Sequence, residues 1–329
     1  MSRSVRIHEF GGPDVLSIED VTIGEPAAGE VRLRIHAIGL NRTEITLRSG
    51  RSPIKPALPT GLGFEAAGVV DALGPDVTGF SVGDRVALVP AYSAAQYALY
   101  GEVALVPARS LVAIAERVSY AEAAATWAAY GTAWGGLAAV GAVGKGQTVL
   151  ISAASSSVGL AAIQVAHRLG ARPVAVTRSS AKANELHSLG AAAVIVMVEQ
   201  DVVAEIKALT NGKGAELVFD PVGGPEFATL VRATASGGTL VLYGALDTRP
   251  TIMPPFEIFA RDLTIRGLAL TALTRQDAKL ADLKEFVSAG LAEGAFHPTI
   301  ARTFLFDQIA DAHRFVETGE QVGKIVVTL

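Results

Sequence analysis

Polar and apolar residues alternate along Glu30-Val31-Arg32-Leu33-Arg34-Ile35-His36-Ala37, the period of a strand with one buried face. Short β-prone runs at 5–8, 16–20, 30–39 and 68–73 are separated by glycine and proline, and 81–86 reads as a turn feeding another strand. Residues 41–49 leave room for one short helix. This part of the chain predicts a compact β-barrel with little helix. The texture changes at Ser119, an N-cap before the alanine-rich run 120–128, with Glu122 placed to close a capping box. Strands are then expected at 148–152, 172–177, 193–197, 217–220, 238–243 and 263–268, with helices at 157–169, 181–189, 202–209, 225–233 and 255–260. Such alternation predicts an α/β, doubly wound parallel sheet. The tail carries helices at 275–289 and 307–317 and strands at 301–306 and 324–329. It is expected to complete the first domain, because two short strands make no stable unit alone. The expected organisation is a barrel domain of residues 1–118 and 271–329 and a doubly wound domain of residues 119–270.

Composition narrows the chemistry. Half of the 329 residues are apolar and only 6% aromatic, which suits helices packed closely on a parallel sheet. A formal charge of −4, with no run of like charges, argues against a nucleic-acid surface. Cysteine is absent, which excludes disulfides, thiolate nucleophiles and thiolate metal ligands. The start, MSRSVRIHEF, lacks the apolar core of a signal peptide. The most apolar stretch, 148–166, is broken by Ser152, Ser155, Ser156, Ser157 and Gln164 and is too polar for a membrane span. A soluble cytoplasmic protein with a small-molecule partner is expected.

The strongest local signal is Thr148-Val149-Leu150-Ile151-Ser152-Ala153-Ala154-Ser155-Ser156-Ser157-Val158-Gly159. A buried strand enters a tight turn and a helix opens at once, the arrangement that aims free backbone N–H groups at a pyrophosphate. The G-x-G-x-x-G fingerprint falls on Ala154, Ser156 and Gly159, so only its third glycine survives. Small residues at the other two positions still admit a phosphate, and serine hydroxyls can donate to it. The alternative is an ordinary βα turn of an unrelated α/β fold. The next strand ends in Thr177-Arg178, with Lys182 close behind. A site for NAD usually puts Asp or Glu there; Arg178 suits a 2′-phosphate instead, unless it is simply a solvated strand end.

With these residues in view, nearly the whole chain resembles the medium-chain dehydrogenase/reductase superfamily, in its zinc-independent quinone oxidoreductase branch. The similarity rests on the G-x-E-x-x-G segment at Gly63-Phe64-Glu65-Ala66-Ala67-Gly68, the F-x-x-G-D-x-V turn from Phe80 to Val86, Tyr130-Gly131-Thr132-Ala133-Trp134, Asp220-Pro221-Val222-Gly223-Gly224, Gly237-Gly238-Thr239-Leu240-Val241 and the closing Gly323-Lys324-Ile325-Val326-Val327. The resemblance implies a GroES-like barrel joined to a Rossmann domain, an active site in the cleft between them, and hydride transfer with NADPH. It implies a cofactor path along Thr132, Ser155, Ser156, Ser157, Val158, Gly159, Thr177, Arg178, Lys182, Val222, Tyr243 and Gly244. Asn41 matches the family's Asn near the nicotinamide; a local Asx-turn is the other reading.

Departures from the family sharpen the expectation. Zinc enzymes of this superfamily carry a Cys near position 41 and His before the Glu; here Asn41 and Gly63-Phe64-Glu65 stand instead. One glutamate cannot hold a catalytic zinc, and the six histidines show no ligand spacing, so no metal is expected and Glu65 should bond backbone or arginine. Where relatives often place a proton-donating Tyr, this chain has Thr46; Tyr97, Tyr100 and Tyr130 are substitutes or packing residues, and water is the remaining proton source. Without a Lewis acid, a quinone or α,β-unsaturated carbonyl is the easier acceptor. The rivals are an enoyl-thioester reductase of the same superfamily and a non-catalytic, crystallin-like NADPH-binding protein. Loops 48–58, 89–97 and 245–255 should shape the pocket, and a homodimer is expected through the last Rossmann strand, 263–270.

Overall fold

The computed structural model describes residues 1–52, 55–93 and 96–329. The expected pocket loops 48–58 and 89–97 contain 53–54 and 94–95, which lie outside the described residues. Contacts divide the chain into two compact units: Met1–Ala128 with Thr274–Leu280 and Pro298–Leu329, and Ala129–Leu273 with Ala281–His297. In chain order the strands are β1 (Ser2–Ile7), β2 (Ser17–Val21), β3 (Glu30–Gly39), β4 (Thr60–Gly61), β5 (Glu65–Leu73), β6 (Arg85–Leu88), β7 (Val103–Pro107), β8 (Leu111–Ala113), β9 (Thr148–Ile151), β10 (Arg172–Thr177), β11 (Ala193–Val196), β12 (Ala215–Asp220), β13 (Thr234–Leu242), β14 (Thr264–Gly267), β15 (Ile300–Leu305) and β16 (Lys324–Thr328).

The first unit is the GroES-like fold, built from a three-stranded sheet, β2-β1-β4, and a seven-stranded one. In the larger sheet β3 is central: it pairs antiparallel with β5, β7 and β16. The alternation seen in the sequence is realised, since Val31, Leu33, Ile35 and Ala37 are all buried. Val31, Leu33 and Ile35 join one core with Val5, Ile7, Leu99, Ile325 and Val327. The short helix α1 (Arg42–Arg48) follows β3 directly. Helix α2 (Tyr120–Ala124) has the expected cap: Ser119 Oγ accepts from the Glu122 N–H at 3.2 Å, and the Glu122 carboxylate accepts from the Ser119 N–H at 2.8 Å. The break expected at 118/119 falls at 128/129, because α2 packs on β3, β5 and β16 of the first unit.

The second unit holds one parallel sheet in the order β11-β10-β9-β12-β13-β14, the doubly wound order of a Rossmann domain. Helix α3 (Trp127–Trp134) leads into a π-helical turn at Gly135–Val140 that sequence pattern did not anticipate. Helix α4 (Ser157–Arg168) buries Leu160, Ala161, Ile163 and Val165 against the sheet. The tail splits rather than rejoining the first unit whole. Strands β15 and β16 complete the barrel sheet, but 281–297 packs in the second unit. There Gln164 bonds both the N–H (2.8 Å) and the carbonyl (3.1 Å) of His297, and Arg168 pairs with Glu293.

Candidate functional site

In the second unit the serine-rich turn sits at the carboxyl end of β9. Ala153 takes a positive φ of 46°, and Ser156 caps α4 by accepting the Gly159 N–H at 3.1 Å, so its hydroxyl proton is left to donate elsewhere. A Cβ on residue 159 would stand 2.6 Å from the Ala154 Cα, which explains why the third glycine of the fingerprint is the one retained. Lys182 reaches back to this turn, its Nζ 3.4 Å from Ser155 Oγ. Ser155, Ser157 and Val158 are half-buried along the same turn, Thr177 is buried at the end of β10, and Arg178 is exposed just past it. No Asp or Glu follows β10 before Glu185. Thr132 is half-buried in α3. Val222, Tyr243 and Gly244 lie on the loops leaving β12 and β13, and Tyr243 stacks on Phe219 with ring centroids 4.0 Å apart. These residues fit a dinucleotide: a capped helix start, a turn of small residues, two cations past the adjacent strand, and a buried Tyr243 hydroxyl beside Ser156.

Tyr130 is placed otherwise. Its side chain is buried, its hydroxyl donates to Gln164 Oε1 at 2.8 Å, and its ring packs on Phe296 at 4.8 Å. Burial pushes its phenol pKa up, which makes its proton a poor one to give away.

In the first unit Asn41 ends a buried polar node. Its N–H donates to Glu44 Oε2 at 2.6 Å, the returning arm of a capping box, and its side-chain Nδ2 lies 3.4 Å from Glu44 Oε1. Asn41 Oδ1 accepts from Lys324 Nζ at 2.7 Å, and Nδ2 donates to the Gly39 carbonyl at 3.1 Å. Lys324 also pairs with Glu65, whose Oε2 accepts the Ala128 N–H at 2.7 Å. Both side chains of that pair are 1% exposed. The expectation that Glu65 bonds backbone is met; its charged partner is lysine rather than arginine, because β16 runs beside the end of β3 and delivers Lys324 there. Gly39 is required here, since a Cβ would lie 1.9 Å from the Ala124 carbonyl oxygen as well as 2.8 Å from Glu65 Oε1. Burial raises the Glu44 pKa to about 8, against the opposing pull of Lys324. Thr46 spends its hydroxyl on the Arg42 carbonyl at 3.0 Å. Among the described residues no group of three or more His, Asp or Glu side chains is arranged to hold a metal ion.

The node was only partly legible beforehand. Glu65 and Lys324 stood in separate motifs, and only their meeting in space makes an ion pair. Glu44 carried a signal of its own, the N-x-x-E spacing of a capping box.

Two family models match the chain: "Alcohol dehydrogenase GroES-like domain" over residues 27–149 and "Zinc-binding dehydrogenase" over residues 157–288. A quinone oxidoreductase of Pseudomonas aeruginosa is 36% identical over 244 residues, 74% of each chain. The chain belongs to the medium-chain dehydrogenase/reductase superfamily, in its quinone oxidoreductase branch. Like the rest of that branch it is an oxidoreductase. Solved medium-chain structures superpose over essentially full length. The Escherichia coli quinone oxidoreductase complexed with NADPH gives a TM-score of 0.92 at 27% identity, covering 99% of this chain and 100% of that one. An NAD-dependent alcohol dehydrogenase gives 0.91 at 32%, covering 99% of both. The CurK enoyl reductase gives 0.88 at 25%, also covering 99% of both.

Proposed function

We propose that this medium-chain enzyme is a zinc-independent, NADPH-dependent reductase of quinones or α,β-unsaturated carbonyls. When bound, the nicotinamide supplies the hydride; the chain's own residues bind it, orient it and keep the acceptor in register. The observation that carries the reading is the state of Glu65. Its carboxylate is committed to Lys324 and the Ala128 N–H, Phe64 precedes it, and the chain has no cysteine, so these residues form no zinc centre. Activation then falls to the acceptor itself, and conjugation delocalises the charge that hydride addition creates. NADPH rather than NADH is supported by Arg178 just past β10, by Lys182 at the serine turn, and by the NADPH complex of the Escherichia coli relative. Since Thr46 and Tyr130 both spend their hydroxyls inside the protein, solvent water returns the proton.

Turnover tests this. Purified protein should oxidise NADPH with a simple quinone or enone and leave saturated alcohols and ketones untouched. Chelators should not change the rate, and elemental analysis should find no stoichiometric zinc. Zinc that is needed for turnover, or preference for an alcohol with NAD, would remove the reading. The enoyl-thioester alternative is favoured by the likeness to the CurK enoyl reductase and would show as a preference for enoyl thioesters over quinones in the same panel. The enzyme is further proposed to be cytoplasmic and homodimeric; among the described residues no helix is long and apolar enough to cross a membrane.

A further inference from the structure

Strands β9 and β12 are neighbours at the point where the strand order of the parallel sheet reverses, and loops leaving the carboxyl ends there border the crevice in which such sheets take ligands. One carboxylate ties these loops together. Asp220, the last residue of β12, is wholly buried. Its Oδ1 accepts from the hydroxyl of Ser152, the first residue past β9, and its Oδ2 accepts the Gly223 N–H at 2.8 Å. The turn closed in this way pins the loop after β13. Asp220 O accepts the Tyr243 N–H at 2.9 Å, and the carbonyls of Pro221 and Val222 accept the N–H groups of Leu246 and Asp247, both at 3.0 Å. The buried Tyr243 hydroxyl lies beside Ser156 and Asp220.

A buried carboxylate is an expensive way to shape a turn, because desolvation opposes its charge; an apolar side chain would cost the fold less. We propose that Asp220, acting through Ser152 and Gly223, is a positioning residue for the nicotinamide dinucleotide, holding the Val222 and Tyr243 loops in register with the serine turn. The inference rests on the reading of this turn as the cofactor site. Burial also raises the Asp220 pKa, the direction expected for an acid kept away from water.

Fluorescence titration of wild type, Asp220→Ala, Asp220→Asn and Ser152→Ala with NADPH and with NADH tests it, with thermal melting as the folding control. Asp220→Ala should weaken both cofactors by the same factor, roughly tenfold, the size of one lost hydrogen bond to a charged group. The equal factor separates this effect from loss of a 2′-phosphate contact. Asp220→Asn should recover most of the affinity, since its oxygen can accept from Gly223 N–H while its nitrogen donates to Ser152 Oγ. Ser152→Ala removes only a hydroxyl, should remain folded, and should weaken both cofactors less than Asp220→Ala does. If Asp220→Ala does not fold, Ser152→Ala decides the matter. Folded variants that bind both cofactors as wild type does would overturn the inference alone. Wild type that binds neither cofactor would overturn the reading of the site and this inference with it.

Discussion

Arg178 and Lys182 stand a few residues apart, yet they should act with different force. A guanidinium can meet a phosphate with two parallel hydrogen bonds, whereas an ammonium on a flexible stem acts as a point charge. One hydrogen bond to a charged group is worth ~1.5–3 kcal/mol, so Arg178→Ala should weaken NADPH by roughly ten- to a hundred-fold and leave NADH nearly unchanged. Lys182→Ala should act in the same direction but less, because Lys182 already leans on Ser155. Equal responses of the two cofactors to Arg178→Ala, read by titration, would reduce Arg178 to a solvated strand end. Lys324 makes the contrasting case. Removing its charge strands Glu65 in the core, and breaking a buried pair on one side costs about 3–5 kcal/mol. Lys324→Met should therefore destabilise the protein strongly in denaturant unfolding. Lys324→Met with Glu65→Gln should recover much of the loss, since the Gln amide oxygen can still accept the Ala128 N–H. If the double variant is no more stable than the single one, the ion pair is not what holds the node. The place of Arg178 could be read from the sequence, whereas the assembled node could be read only in part. Arg178 follows its strand at a spacing fixed along the chain, whereas Asn41, Glu65 and Lys324 meet only through the pairing of β3, β5 and β16.

Helix α1 shows the same limit one level up. Its position after β3 and its capping acid could be read from the sequence, but not that Glu44 and Arg48, one turn apart, would both point inward. Arg48 donates to the Gly11 carbonyl at 3.2 Å and to His313 Nδ1 at 3.0 Å, and pairs with Glu317. Arginine can only donate, so His313 Nδ1 accepts and its Nε2–H faces the Tyr100 hydroxyl at 3.2 Å. Tyr100, entertained above as a proton donor, is thus a buried core residue of the first unit. Burial, with the Arg48 charge, lowers the His313 pKa to about 3. The two shifts imply opposite pH limbs. The raised Glu44 favours the folded state at low pH, and its contribution is lost as pH rises from 4.5 through about 8. The lowered His313 contributes fully above 6.5, and that contribution is lost as pH falls toward about 3. Between 4.5 and 6.5 the two slopes oppose each other, so stability should be broadest there. Each limb should approach ~1.4 kcal/mol per pH unit. Denaturant unfolding across pH checks this: Glu44→Gln should flatten the alkaline limb and leave the acid limb in place. An unchanged alkaline limb would show that Glu44 is not the titrating group. The regular elements of the parallel sheet were the most legible part of the fold, because buried strands and amphipathic helices write their period into the chain. Strands β4, β7 and β8 were not read, their pairing being set by the barrel rather than by a local alternation, and the π-helical turn at Gly135–Val140 has no periodic signature.

At the scale of the whole molecule, the second unit's sheet ends at β14, whose outer edge pairs with no strand among the described residues. An uncovered edge presents unpaired N–H and C=O groups and is a template for further pairing. Three of its four residues are exposed, and the preceding helix Pro255–Ala260 adds Phe256 and Phe259, 76% and 67% exposed with ring centroids 5.3 Å apart. Ile252 and Met253, just before that helix, are exposed as well. Scattered surface hydrophobes need no explanation, but an apolar group beside an open sheet edge does. A two-fold axis at this edge would pair β14 with its symmetry mate and cover the aromatic residues with their copies, the self-complementary arrangement most oligomers adopt. The protein should therefore sediment as a dimer at micromolar concentration. Phe256→Glu with Phe259→Glu should shift it toward monomer, because two like charges would face two more across the axis. Both side chains are exposed in the single chain, so the substitution should leave its folding intact, and the melting transition of the variant at low concentration would confirm that. A monomeric wild type would rule out the edge as an interface, and a variant that stays dimeric would place the contact elsewhere on the surface.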